Sequence, residues 1–284
     1  MKFAIVGEKE RAKAWEKHLR KLSVVNEVVI TGSLSDLDAQ HAVLLIDDSK
    51  ENLTHLLRSI KKGFHTYLVS KLPTHLQLLD KVYHASEEAE VQVQFSHWPS
   101  MTESIHWIRQ QIEKPDLVQI KKETIPVNYR VSERAEFDHI WVDELALIIK
   151  WMGGNVHRYE VKPIILDTFY LGLNLTLRFE NSAVATIQVL CSSDRELHQR
   201  IFSSRSALAD FDVIKHRIRY HSLSDYQKVT VKEHTFNPTD TAEWSVVQFI
   251  KAIQLNKSTL FSPYDLLQTA KSVEKIKQLM EKNA

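Results

Sequence analysis

Glycine is what this sequence lacks most: there are six among 284 residues, at Gly7, Gly32, Gly63, Gly153, Gly154 and Gly172, where average usage of about 7% would supply roughly twenty. Any loop that cradles phosphate with bare backbone must therefore work with few side-chain-free positions. Cysteine is scarcer still. Cys191 stands alone, which excludes an internal disulfide and a multi-cysteine zinc site and fits a reducing compartment, so the cytoplasm is the expected location. Long apolar runs are missing as well: Met1-Lys2-Phe3-Ala4-Ile5-Val6-Gly7 holds a short apolar run before a charged stretch, too short for a signal peptide or a membrane span, and no membrane partner is expected. Nor does one sign of charge dominate. The 37 basic and 36 acidic residues are interspersed for a formal net charge of +1, with basic runs as short as Lys61-Lys62 and Lys121-Lys122, so no nucleic-acid partner is expected. Fourteen histidines are scattered without an H-E-x-x-H arrangement, and no metal site is expected. The G-x-S-x-G elbow of serine hydrolases and the G-x-x-x-x-G-K-[ST] loop of nucleotide triphosphatases are both absent.

What is present is the balance of a globular protein, 43% hydrophobic and 26% charged, in a length that suits two cores. The first part alternates strand and helix. Residues 3–6 form a buried-strand run ending at Gly7, after which Ala12, Trp15, Leu19 and Leu22 recur at helical spacing. Strand-like runs at 24–31, 42–46, 66–69 and 91–95 are separated by helical faces at Leu53, Leu56, Leu57 and Ile60 and at Leu76, Leu79 and Val82, with a further face at Met101, Ile105, Ile108 and Ile112. That alternation predicts a parallel sheet, and Pro115 marks its boundary.

Beyond Pro115 the grammar changes. Residues 118–127 read as a strand and 142–152 as a helix stopped by Gly153-Gly154. Leu173, Leu175, Leu177 and Phe179 alternate with Asn174, Thr176, Arg178 and Glu180, and residues 184–190 continue after a tight Glu180-Asn181-Ser182 turn, giving a half-buried hairpin. Helices follow around 244–255 and from Pro263 onward. The expected fold class is α/β: residues 1–116 form a doubly wound, Rossmann-like parallel sheet, and residues 117–284 an α+β domain with a large, mostly antiparallel open sheet, whose terminal helices can pack back on the first domain.

Three stretches in this order resemble the Gfo/Idh/MocA family of nicotinamide-dependent sugar dehydrogenases. Residues 60–73 (IKKGFHTYLVSKLP) are similar to that family's "AL..GKHVL.EKP" segment. Residues 91–112 are similar to its strand, aromatic, x-Pro, helix segment, and residues 252–280 to its closing helices. The resemblance implies a cofactor, NAD or NADP, and a small-molecule substrate with a secondary alcohol, on a sugar or a polyol.

Several chemistry-bearing positions depart from the family pattern. The dinucleotide fingerprint G-x-G-x-x-G/A reads Gly7-Glu8-Lys9-Glu10-Arg11-Ala12. Gly7 and Ala12 fit, but Lys9 stands where a bare backbone meets the pyrophosphate, and Glu8 and Glu10 oppose a bound phosphate at a helix N-terminus. Lys9 and Arg11 can offset that as point charges; the alternative is a turn that no longer binds anything. No acid ends the second strand, where Val28-Val29-Ile30 runs into Thr31-Gly32-Ser33 with Asp36 and Asp38 a few residues late, so NAD and NADP are not distinguished. In Ser70-Lys71-Leu72-Pro73 the resemblance makes Lys71 the match to the family's cofactor-side lysine, able to orient a hydroxyl if partly buried.

The family's D-x-G-x-H-x-x-D motif supplies a histidine as general acid or base. Counting back from Gly153 places that histidine at Asp143, the following acid at Ala146, the glycine at Trp141 and the leading acid at His139. Asp143 and His139, four residues apart, would share one helical side and could form an oriented acid/base pair; equally, Asp138 or Asp143 could merely cap or decorate a helix start. Ser96 takes a position the family gives to arginine, and Trp98 reads as a packing or pocket-wall residue. The resemblance thus implies an NAD(P)-dependent oxidoreductase that is a homodimer or homotetramer through its second-domain sheet, or, alternatively, a non-catalytic scaffold with a binding or regulatory role.

Overall fold

The computed structural model describes residues 1–37, 41–125, 134–153, 155–167, 169–223, 228–237 and 241–282. It divides into two compact units, Met1–Met101 with Asp240–Lys271, and Thr102–Thr239 with Ser272–Ala284.

The first unit runs β1 (Lys2–Val6), α1 (Lys9–Arg20), β2 (Glu27–Thr31), β3 (Ala42–Ile46), α2 (Asn52–Lys61), β4 (His65–Val69), α3 (Leu76–Glu88) and β5 (Val93–Phe95), and later includes α6 (Thr241–Leu255). All four strand pairings are parallel, in the order β2-β1-β3-β4-β5. β3 reads Ala-Val-Leu-Leu-Ile without a polar break because every one of its side chains is buried, as expected of a strand covered on both faces. α1 buries Ala12, Trp15 and Leu19, the stripe its spacing predicts. The usual doubly wound order places a further strand outside the second one; among the described residues β2 is the edge, and the next strand in the chain, β3, lies on the other side of β1. α6 is tied in by the buried Tyr67 hydroxyl, which donates to Ser245 Oγ at 3.1 Å, and by Gln94 Nε2, which donates to the Ser245 carbonyl at 3.2 Å.

The second unit holds α4 (Glu103–Gln111), β6 (Leu117–Glu123), α5 (Arg134–Met152), β7 (Val156–Leu166), β8 (Phe169–Phe179), β9 (Val184–Leu190), β10 (Leu197–Ser203), β11 (Ala207–Asp212), β12 (Arg217–Leu223) and β13 (Val229–Thr235). The strands form one sheet in the order β13-β12-β11-β10-β6-β9-β8-β7, antiparallel except for β6 beside β9. The expected hairpin is β8–β9, with Leu175 opposite Ile187 and a turn in which Ser182 takes φ +67°. Leu173, Leu175, Leu177 and Phe179 are buried, and Asn174 and Arg178 are exposed. The chain closes with α7 (Pro263–Lys282).

Some boundaries differ from expectation. α4 clusters with the second unit, not with the parallel sheet. β6 ends at Glu123; residues 126 and 127, expected to continue it, lie outside the described residues, as do Asp38 and Gly154. α5 begins eight residues before the expected 142. Its buried residues Phe137, Asp138, Trp141, Val142, Glu144, Leu145, Ala146, Leu147 and Ile148 crowd most of the helix circumference, so no narrow apolar stripe announces where it starts. No helix among the described residues is long and apolar enough to cross a membrane.

Candidate functional site

In the first unit the site begins where β1 meets α1. A Cβ on Gly7 would stand 2.6 Å from the Ile46 carbonyl oxygen and 2.9 Å from Ile46 Cβ, so only glycine lets the turn pass this close to β3. Ala12 is fully buried, as a small third fingerprint residue must be where helix meets sheet. Glu8 occupies the N-cap of α1 but its side chain makes no capping bond. The amides of Lys9, Glu10 and Arg11 donate to no other described residue, which leaves first-turn N–H groups available to an anion. Lys9 is exposed. Arg11 is already engaged: its Nη1 donates to Asp48 Oδ2 at 2.7 Å in an exposed pair.

Asp48, just beyond β3, also accepts the backbone N–H of Lys71 through Oδ1 at 3.1 Å. One carboxylate therefore links the fingerprint helix to the residue after β4. Lys71 itself is exposed rather than partly buried. Ser96, in the arginine's place, accepts the Ser70 N–H at 3.0 Å and donates to the Ser70 carbonyl at 2.8 Å, joining β5 to β4. Trp98 stacks on Trp15 with ring centroids 6.2 Å apart.

A cavity of about 480 Å³ lies at the carboxyl ends of β1, β2 and β3, lined by Val6, Gly32, Ser33, Leu34, Ser35, Leu45, His55, Arg58, Lys61 and Lys62. The loop after β2 is held by its own hydroxyls: Thr31 Oγ1 donates to Asp36 Oδ2 at 3.1 Å and Ser35 Oγ to Asp36 Oδ1 at 3.2 Å. His55 is paired with Asp47 at 2.7 Å. Burial would raise the Asp47 carboxyl, but hydrogen bonds from His55 and Ser49 hold it below the ordinary value.

In the second unit, the helical register of α5 places His139 and Asp143 one turn apart on one side. Asp143 is pushed up to about 6, first by burial and then by the negative charge of Glu144, against the pull of Lys122 and Arg200. Asp138 does not cap the helix; its Oδ2 pairs with Lys277. Trp141 and Ala146, which stand at the family's glycine and second acid, are both fully buried. Packing has taken over those positions, and the Trp141 Nε1 has no hydrogen-bond partner among the described residues.

Beside Asp143 lies a cluster the sequence reading missed. Arg200 on β10 grips Glu144 with two bonds, Nε to Oε2 at 2.8 Å and Nη2 to Oε1 at 2.7 Å, and His198 Nε2 meets Oε1 at 2.9 Å. Glu144 is 1% and Arg200 3% exposed. Burial alone would raise the Glu144 carboxyl, but Arg200 and His198 hold it well below the usual carboxylate range; burial pushes the His198 imidazole down despite that carboxylate. Glu123 on β6 receives Lys121 at 2.6 Å, Ser193 at 2.9 Å and Arg195 at 3.2 Å and is lowered to about 2, chiefly by Lys121. The alternation in β10, which puts His198, Arg200 and Phe202 on one face, was the available signal: a charged residue at an inward position needs a buried partner.

The predicted site residues thus fall into two groups: Gly7, Lys9, Arg11, Ala12 and Lys71 in the first unit, and His139 and Asp143 in the second. The first unit fits a dinucleotide in three respects: the close turn at Gly7, the open first-turn amides of α1, and the cavity at the carboxyl ends of β1, β2 and β3. Lys9 at the second-glycine position is the departure.

No protein-family model matches the chain, and no curated protein matches it. Solved structures do. Over 100% of this chain and 98% of theirs, it is similar to the UDP-N-acetylglucosamine 3-dehydrogenase GnnA of Acidithiobacillus ferrooxidans at 11% identity and a TM-score of 0.85. An NAD binding oxidoreductase from Klebsiella pneumoniae gives the same identity, TM-score and coverage. A levoglucosan dehydrogenase in complex with NADH matches with a TM-score of 0.82 at 11% identity over 100% and 98% of the two chains. At such identity the likeness is one of fold: the chain shares the architecture of these dehydrogenase structures.

Proposed function

We propose that this chain is an NAD(P)-dependent oxidoreductase of the cytoplasm that acts on a secondary alcohol of a sugar or polyol. One observation carries the reading: in a fold shared with dehydrogenases, a cavity lies at the carboxyl ends of β1, β2 and β3, with Val6, the residue before the Gly7 turn, in its wall, where ligands of open α/β sheets bind. A bound nicotinamide supplies the hydride acceptor or donor; the chain's own residues hold the substrate and move the hydroxyl proton. Lys71, with three N–H donors and no charge partner among the described residues, is assigned to orienting the substrate oxygen. Asp143 is assigned to the proton. Its raised value, about 6, lets the carboxylate accept the alcohol proton above that pH and the acid return it to a carbonyl below. His139, one turn away, is the alternative carrier. Incubation with each oxidised nucleotide and a panel of sugars and polyols, read as formation of reduced nicotinamide, tests this; turnover on none of them, with nucleotide bound, counts against it.

The second reading is a non-catalytic scaffold with a binding or regulatory role. Lys9 in the fingerprint, Asp48 occupying Arg11 and Trp141 filling a motif position favour it. Binding of nucleotide separates the two before any substrate is known. Assembly as a homodimer or homotetramer through the eight-stranded sheet is also proposed, supported by the exposure of Ile164, Leu166 and Phe169 on β7 and β8. A monomer by light scattering at micromolar concentration would count against it.

A further inference from the structure

We infer that the cavity between the loop after β2 and helix α2 is built for a 2′-phosphorylated adenosine, so that the chain takes NADP(H) in preference to NAD(H). The inference rests on the dinucleotide reading above and adds a specificity that reading leaves open. Three observations converge. First, the cavity wall carries three fixed cations, Arg58, Lys61 and Lys62, with His55 and the hydroxyls of Ser33 and Ser35, and no carboxylate among its lining residues. A 2′-hydroxyl is normally taken by an acid after the second strand, and a 2′-phosphate by a nearby arginine. Second, the cations are available. Arg58 and Lys61 make no ion pair or side-chain hydrogen bond among the described residues, and Lys62 is held by carbonyls, Nζ to Leu34 O at 2.8 Å and to Leu37 O at 3.4 Å, which fix its position without neutralising it.

Third, Asp36, the carboxylate among the loop's described residues, is not part of the cavity lining and is engaged by the hydroxyls of Thr31 and Ser35, while Ser33 Oγ meets Ser35 Oγ at 2.6 Å. At this loop the cavity wall is formed by Ser33 and Ser35, with no acid in it for a ribose diol. The volume, about 480 Å³, lies in the range of about 300–1,000 Å³ common for small-molecule sites. Because Arg58 and Lys61 sit on the last turn of α2 and Lys62 caps it, rather than following β2 directly, the usual sequence position for a 2′-phosphate determinant shows none of this.

Calorimetric titration of the full chain with NADPH, NADH, 2′,5′-ADP and 5′-ADP tests the inference, beside the exposed-residue variants Arg58→Glu and Lys61→Glu, each checked for unchanged thermal unfolding. The expected result is about tenfold or greater preference for NADPH over NADH and for 2′,5′-ADP over 5′-ADP, lost in Arg58→Glu while NADH binding stays within about threefold. Equal affinity for NADPH and NADH overturns the inference and leaves the oxidoreductase proposal standing. Binding of 2′,5′-ADP, abolished by Arg58→Glu but without binding of either dinucleotide, supports the cavity assignment and removes the oxidoreductase proposal. No binding of any of the four overturns both.

Discussion

Truncating Glu144 to alanine should be among the most destabilising single changes in the second unit. The carboxylate is 1% exposed and receives both arms of Arg200, itself 3% exposed. Removing it strands a guanidinium in the interior, a cost of about 3–5 kcal/mol. For a unit of about 150 residues, at about 2–4 °C per kcal/mol, the midpoint of thermal unfolding should fall by about 6–20 °C. The pair as a whole need not be stabilising, because its desolvation offsets much of its attraction. Glu144→Leu combined with Arg200→Met should therefore be far more stable than either single variant. pH adds an independent readout. A carboxyl held below its ordinary 4.5 contributes stability above that value and loses it as pH falls through the folded-state value, so wild type should lose stability on acidification more steeply than the double variant. Urea unfolding followed by the fluorescence of buried Trp141 and Trp151 measures each free energy. Single-variant costs under about 1 kcal/mol, or costs that simply add in the double variant, would refute the reasoning.

Asp143→Asn should lower kcat/KM by about 10²–10⁴ if Asp143 is the proton carrier, and the wild-type profile should bend near pH 6. A raised carboxyl contributes stability at low pH that is lost as pH rises through about 6, so the asparagine variant should be the more stable one above that pH in denaturant titrations. Asp48→Asn keeps an acceptor for the Lys71 amide but releases Arg11; since an exposed pair is worth about 0.2–1 kcal/mol, dinucleotide affinity should tighten about 1.4- to 5-fold by calorimetry. Gly7→Ala places a methyl 2.6 Å from the Ile46 carbonyl and should cost about 1–3 kcal/mol in unfolding free energy.

Where burial follows a simple period, the sequence reveals the fold. β3 is apolar throughout because it is covered on both faces, and β8 alternates because one face is covered. The first half of α5 is opaque for the opposite reason: apolar and ionic residues are buried around most of its circumference. β12 and β13 carry Arg217, Arg219, Lys232 and Glu233 on partly or wholly exposed faces, so little apolar patterning marks them. The Gly7 turn was legible because its chemistry is local. Glu144 and Arg200 are 56 residues apart, and Arg58 joins Ser33 only across β1 and β3; pairings of that kind come from topology, which local spacing does not encode.

Calorimetric titration of the purified full chain with NAD, NADH, NADP and NADPH tests the central claim most directly. Saturable binding of at least one nucleotide at micromolar affinity is the predicted result, and it would show that the chain holds a dinucleotide despite Lys9 in its fingerprint. Absence of binding by all four, with the protein folded, would contradict the oxidoreductase account and leave a scaffold whose ligand is something else.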